Sequence, residues 1–332
     1  MTVRVGVIGT GVMGTDHAQI LHRDVPGAEV VLLADVDVAR AQGIADGIPG
    51  CAVTSDALAL IDSSEVDAIL IASSDNTHAD YVHACLDARK PVLCEKPLAP
   101  TARACEGIVK AQQSTVGDGA DLISVGFMRR FDPGYVELKS LVHSGELGVP
   151  LMVHSIGRGV SAPAGSNELT ITGSAIHDLD IVPWILDSPI VEVSWLAGRS
   201  SPRVTDRDDP QLILLRTADG ALSTVEVFLN STYGYDIRCE VLGSDGTVSL
   251  REPARTMHES NLNRSHRYAA DWRPRFAEAY RLQNRSWIES LLSGVPSPLA
   301  SAEDGLTAAL VADAAIASMR GNGEFTPVAS AS

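Results

Sequence analysis

The stretch "VRVGVIGTGVMG", residues 3–14, decides how the rest of the chain is read. Residues 3–8 are apolar and rich in valine around Arg4, as in a strand buried on both faces. Gly9-Thr10-Gly11-Val12-Met13-Gly14 then spells G-x-G-x-x-G, directly after that strand and directly before a helical pattern. The position between strand and helix gives the motif its meaning. Gly9 permits the tight turn, Gly11 lets a pyrophosphate approach the backbone, and Gly14 lets the helix lie close to the strand. The pyrophosphate rests on the free N–H groups at the helix start, beside Val12 and Met13.

Working outward, strand-like runs recur at 29–36, 66–72, 91–95 and 122–127. Helix-like segments at 12–24, 37–47, 54–62, 77–89 and 101–115 alternate with them. Asp37, Thr54, Thr77 and Thr101 are good N-caps for four of these. Such alternation predicts an α/β fold, a doubly wound parallel sheet of the Rossmann type. The second strand ends at Asp35, 21 residues after Gly14. A carboxylate there accepts the ribose hydroxyls of an adenosine and repels a 2′-phosphate. Val36, Asp37 and Val38 follow, with no arginine or lysine at once, so the expected cofactor is NAD rather than NADP.

The second half reads differently. Strand-like runs at 151–157, 190–198, 211–217, 221–230, 236–243 and 247–250 are β-rich. "ADG" (218–220) and "SDG" (244–246) supply hairpin turns. The expected division is a cofactor domain over 1–122 and a substrate and assembly domain over 123–332. With 332 residues the chain is too long for one ordinary core. The segment 251–276 is charged and aperiodic and reads as an excursion, and 326–332 as a disordered tail.

A formal net charge of −16 argues against a nucleic-acid partner, which needs clustered lysine and arginine. No run approaches the ~20 apolar residues of a membrane span, and no signal peptide is read. The five cysteines are scattered, so neither a disulfide framework nor a metal site is expected, and a reducing cytoplasm is.

Two short motifs carry chemistry. "CEKP" (94–97) ends a strand at the ligand edge of the sheet, where Lys96 can reach a substrate hydroxyl. "GSAIHDLD" (173–180) sets His177 and Asp180 at i and i+3 on one helix face. Asp178 points about 100° away and reads as structural. Ser73, Asn76 and His78 follow the third long strand and so lie beside the cofactor, with His78 equally able to cap its helix.

In this order the glycine turn, Asp35, "CEKPLA", "VGFMRRFDPGYVELK", "GVPLMVH", "IHDLD", "DPQLILL" and "YGYDIRCEVLGSDGTVSL" resemble the Gfo/Idh/MocA oxidoreductases nearly end to end, and their inositol dehydrogenase branch in particular. The resemblance implies an NAD-binding first domain with Glu95 and Lys96 at the cofactor. It implies a second domain with a large, mostly antiparallel open sheet, an active site between the domains, and assembly into a homo-oligomer, a dimer or tetramer, through the sheet. Lys96 and His177 match the family's catalytic lysine and histidine. Asp180, His154, Tyr235 and Arg130 fall at positions on the substrate side.

The resemblance fails at two places. The family usually carries an aspartate four residues before the histidine, completing a proton relay, and here that residue is Gly173. Gly159-Val160 stands where the inositol enzymes tend to have Asn-Pro. The expected activity is oxidation of a cyclitol or sugar hydroxyl to a ketone by NAD. The alternatives are a redox-neutral sugar-modifying enzyme working through a keto intermediate on tightly bound NAD, and a non-catalytic NAD-binding regulator.

Overall fold

A computed structural model describes residues 2–117, 121–251, 256–265 and 267–330. The chain divides into two compact units that are not continuous in sequence. The first holds residues up to Met128 together with Ala279–Ala309, and the second holds Arg129–Glu278 and the chain from Leu310. A single cut after residue 122 divides the chain differently.

In the first unit the elements run β1 (Val3–Ile8), α1 (Val12–Asp24), β2 (Ala28–Ala34), α2 (Val38–Ala45), β3 (Ala52–Thr54), α3 (Ala57–Asp62), β4 (Ala68–Ile71), α4 (His78–Asp87), β5 (Val92–Cys94), α5 (Ala102–Val116) and β6 (Ile123–Val125). Six parallel strands lie in the order β3-β2-β1-β4-β5-β6. Val5, Val7, Ile69, Leu70 and Val92 are fully buried, as strands covered on both faces require. Two of the four expected caps do not act as caps. The Thr77 hydroxyl donates back to the Ser74 carbonyl. Thr54 closes β3 rather than capping a helix, and the cap of α3 is Asp56, whose carboxylate accepts from the N–H groups of Leu58 and Ala59.

The second unit opens with α6 (Pro133–His143), β7 (Pro150–Arg158) and α7 (Asn167–Thr170). A π-helical turn over Ile171–Ala175 then leads into α8 (Ile176–Leu186). There follow β8 (Ile190–Ala197), β9 (Gln211–Thr217), β10 (Leu222–Phe228), β11 (Asp236–Gly243), β12 (Thr247–Ser249), β13 (His258–Ser260) and β14 (Asn263–Ser265). The chain ends with α9 (Trp272–Ser293), α10 (Ala302–Arg320) and β15 (Thr326–Pro327). Seven strands form an open sheet, β12-β11-β7-β10-β9-β8-β15, in which only the β7–β10 pair is parallel.

Two expectations are corrected here. The excursion at 251–276 contains the β13–β14 hairpin and the start of α9, its residues 252–255 and 266 lying outside the described ones. Residues 326–328 are no loose tail, and 331 and 332 lie outside the described residues. Thr326 and Pro327 pair with Val193 and Glu192, and the Val328 N–H donates to the Val191 carbonyl. An edge strand leaves a row of unpaired backbone groups, and this segment covers those of β8.

Candidate active site

In the first unit the glycine turn behaves as its spacing requires. Gly9 has φ +88°, and a Cβ there would meet the Ala72 carbonyl at 2.6 Å. A Cβ on Gly14 would sit 1.8 Å from the Gly9 carbonyl oxygen, so α1 starts hard against the turn. Gly11 is the opposite case: a Cβ there meets nothing within 4 Å. The open space lies above the start of α1, whose first turn has no acidic residue and whose Gly11 cap supplies no side-chain acceptor. No carboxylate or capping side chain thus competes with an anion at the helix start.

Beside them a cavity of about 320 Å³ is lined by Gly9, Gly11, Asp35, Arg40, Ser73 and Tyr81, among others. Asp35 is nearly buried, and both of its oxygens accept hydrogen bonds within the chain. One oxygen accepts from the Asp37 N–H at 2.8 Å and Arg40 at 2.7 Å. The other accepts from the Thr10 N–H at 2.6 Å and the Thr10 hydroxyl at 2.7 Å. Burial disfavours its charge, but Arg40 and these donors outweigh that and hold the carboxyl well below the usual carboxylate range. The absence of a cation immediately after Asp35 in sequence is thus misleading. The first turn of α2, capped by Asp37, folds back and brings Arg40 onto Asp35 from five residues away. Arg40 belongs to no motif, and Tyr81 lies in the run 73–82 after the third long strand without a signal that marks it alone. Turn-residue caps such as Asp37 were the one available signal.

Lys96 follows β5 and is half-buried. Its two flanking groups are fixed from behind. Glu95, buried, lies 2.9 Å from His17 of α1, and its other oxygen accepts the Lys96 N–H at 3.1 Å. His78 is buried with Nδ1 2.7 Å from the Pro97 carbonyl. Glu95 and His78 therefore brace the Lys96–Pro97 turn, and neither lines the cavity. Val12 and Asn76 are exposed, and Ser73 lines the cavity with its hydroxyl 2.7 Å from that of Thr77.

In the second unit two consecutive arginines grip α8. Arg129 donates to Asp178 at 2.5 Å, and the Ser155 hydroxyl donates to the same oxygen. Arg130 forks onto both oxygens of Asp180, at 3.1 and 2.5 Å. All four side chains are buried or nearly so, and removing one member of such a pair costs about 3–5 kcal/mol. These pairs fix the rotation of the helix. Of residues 175–182 only His177 escapes full burial, so the clamped helix presents it. Asp180 was expected to share an open face with His177. It is instead buried and bonded to Arg130.

Tyr235 is half-buried, edge-on to Phe276 at 6.4 Å between ring centres. Burial pushes its phenol up to about 12, so it stays a donor at neutral pH. His154 lies apart from this group. Side chains alternate along a strand, and the next residue, Ser155, faces α8. His154 therefore faces the other side of the sheet, where it bonds Thr224 at 2.9 Å.

Gly173 sits inside the π-helical turn, four residues before His177. A Cβ there meets nothing within 4 Å. A side chain could therefore begin at this position without a clash at its Cβ.

Residues 3–116 match an oxidoreductase family with an NAD-binding Rossmann fold, and residues 135–249 match the Gfo/Idh/MocA C-terminal domain. The chain is 50% identical over 331 residues to inositol 2-dehydrogenase 2 of Paenarthrobacter aurescens (strain TC1), covering 99% of each.

The chain belongs to the Gfo/Idh/MocA oxidoreductases.

Inositol 2-dehydrogenase 1 of Saccharopolyspora erythraea is 44% identical over 99% of this chain and 96% of its own. The crystal structure of myo-inositol dehydrogenase from Lactobacillus casei in complex with NAD(H) and myo-inositol is 32% identical. It superposes with a TM-score of 0.94 over 100% of this chain and 98% of that one. The family's cofactor, NAD, fits what the first unit offers: an open approach over Gly11, a helix start with no side-chain cap and no acidic residue, and a carboxylate at the end of β2.

Proposed function

We propose that this oxidoreductase uses NAD to oxidise one ring hydroxyl of myo-inositol, or of a related inositol, to a ketone. The observation that carries the reading is the 50% identity, end to end, with an inositol 2-dehydrogenase. The cofactor would be held by Gly9, Gly11, Val12, Met13 and Gly14 at its pyrophosphate, by Asp35 at its ribose, and beside Ser73 and Asn76. Bound there, the nicotinamide supplies the hydride acceptor. Lys96 donates to the reacting oxygen and stabilises negative charge as it develops. His177 takes the hydroxyl proton. Tyr235 offers its phenol O–H to a neighbouring substrate hydroxyl. Arg130 and Asp180 act by fixing α8, and His154, on the far face of the sheet, has no part in the reaction.

The test is NADH formation from NAD across a panel of inositol stereoisomers, their methyl ethers and common pyranoses. Turnover of myo-inositol supports the reading. Silence across the panel with NAD demonstrably bound removes it and favours a regulator. In the same assay Gly173→Asp is expected to raise kcat about tenfold, less than the ~10²- to 10⁴-fold of a full general acid or base because a relay group acts only through His177. An unchanged kcat would show that the reaction does not use a relay carboxylate.

Asp35→Ser is expected to raise KM for NAD about tenfold. It also narrows the preference over NADP, because Arg40 then faces the ribose without its carboxylate. KM measured for both cofactors decides this, and an unchanged ratio would place the ribose elsewhere.

The protein is proposed to be cytoplasmic and a homo-oligomer. All five cysteines are free, four of them buried, which suits a reducing compartment. The seven-stranded sheet carries Leu212, Leu214, Leu222 and Phe228 at positions alternating with its buried residues, all only half-covered, and a second copy would bury them. Among the described residues no helix is long and apolar enough to cross a membrane.

A further inference from the structure

We infer that His17 is a positioning residue for Lys96, acting through Glu95. The inference rests on the role proposed for Lys96. His17 lies on α1, fully buried, and the Tyr280 ring stands edge-on to it at 5.5 Å. The amide nitrogen of Asn284 is 2.9 Å from His17 Nδ1. That nitrogen only donates, so Nδ1 accepts and the ring proton sits on Nε2. Nε2 then donates to Glu95 Oε1 at 2.9 Å. Burial disfavours the Glu95 charge, but His17 and Lys96 outweigh it and hold the carboxyl below its ordinary range.

The parallel ladder runs out at this point. The Glu95 N–H still pairs with Ile71, and the next N–H, that of Lys96, is taken by Glu95 Oε2. The lysine backbone is thereby held by a carboxylate whose own orientation depends on His17, and His17 on Asn284. Gly126 leaves the room: a Cβ there would press on Glu95 at 3.2 Å. His17 stands five residues beyond Val12, on the helix that starts at the glycine turn. One helix thus serves two tasks, one at its first turn and one a turn further along. Damage at His17 is expected to leave cofactor affinity intact and to misplace the lysine, and small misplacements of a reacting group cost up to ~10²-fold in rate.

The test compares His17→Leu with His17→Gln in the full chain. The glutamine amide nitrogen reaches about where Nε2 stands and restores the donor to Glu95. His17→Leu is expected to lower kcat about 10- to 100-fold with NAD affinity held within about twofold. Hydrogen exchange at the Lys96 amide should accelerate in step. His17→Gln should recover most of both. If His17→Leu does not fold, Asn284→Ala keeps the imidazole but frees its ring, and the same pattern is expected at smaller size. Equal losses in both His17 variants would overturn the inference. So would losses that follow only the folded fraction, with Lys96 amide protection unchanged. If the unaltered protein turns over no cyclitol, the functional reading fails by itself, and amide exchange still decides the role of His17.

Discussion

Lys96→Met is expected to lower kcat by about 10³-fold, the scale on which loss of one donor to a developing oxyanion is felt. Methionine keeps the length of the side chain and removes only the ammonium. The backbone N–H stays on Glu95 and the Pro97 carbonyl stays on His78, so the turn itself survives. NAD affinity should change little, because the glycine turn and Asp35 are untouched. The comparison is between kcat on myo-inositol and NAD binding, followed by quenching of protein fluorescence. A loss smaller than about tenfold, with binding intact, would remove Lys96 from the chemistry. Loss of NAD binding together with activity would make it a cofactor ligand instead.

The second large effect is expected for His177→Ala, a fall in kcat of about 10²- to 10⁴-fold, the worth of a general base. His177 is the suited residue by place as well as by type. Its neighbours Asp178 and Asp180 are consumed by Arg129 and Arg130, whereas the imidazole is left partly accessible. The truncation touches neither clamp, so thermal stability should move little. Added imidazole should restore part of the rate in the variant, because the site then lacks only the base. Rescue distinguishes a missing base from a disturbed helix, which free imidazole would not repair. A variant with near-normal kcat would leave the proton to another group, and the helix motif would then be structural.

The two predictions concern residues that were legible for different reasons. Lys96 could be found because a strand end in a parallel sheet faces ligand, and strand ends are marked locally. His177 could be found because helical spacing places it, but spacing alone put Asp180 beside it on an open face. Arg130 is 50 residues earlier in the chain, and its fork onto Asp180 depends on no local pattern. His154 shows the same limit for strands. Alternation says that His154 and Ser155 face opposite sides, and only the contact from Ser155 to Asp178 says which side carries α8.

The sequence by itself determined the alternating parallel sheet, the glycine turn with its helix, Asp35 at the end of β2, and nearly every strand of the second sheet. Each of these follows from local rules: side-chain period, backbone freedom at glycine, and capping. Only the tertiary structure decided which charges meet. It brought Arg40 onto Asp35, clamped α8 with Arg129 and Arg130, and set His17 between Asn284 and Glu95. It also placed Gly173 in a π-helical turn with open space beside it. The physical reason is common to all of them. A buried polar group must find its partner wherever the packed chain supplies one, and that choice leaves no periodic trace in the residues that make it.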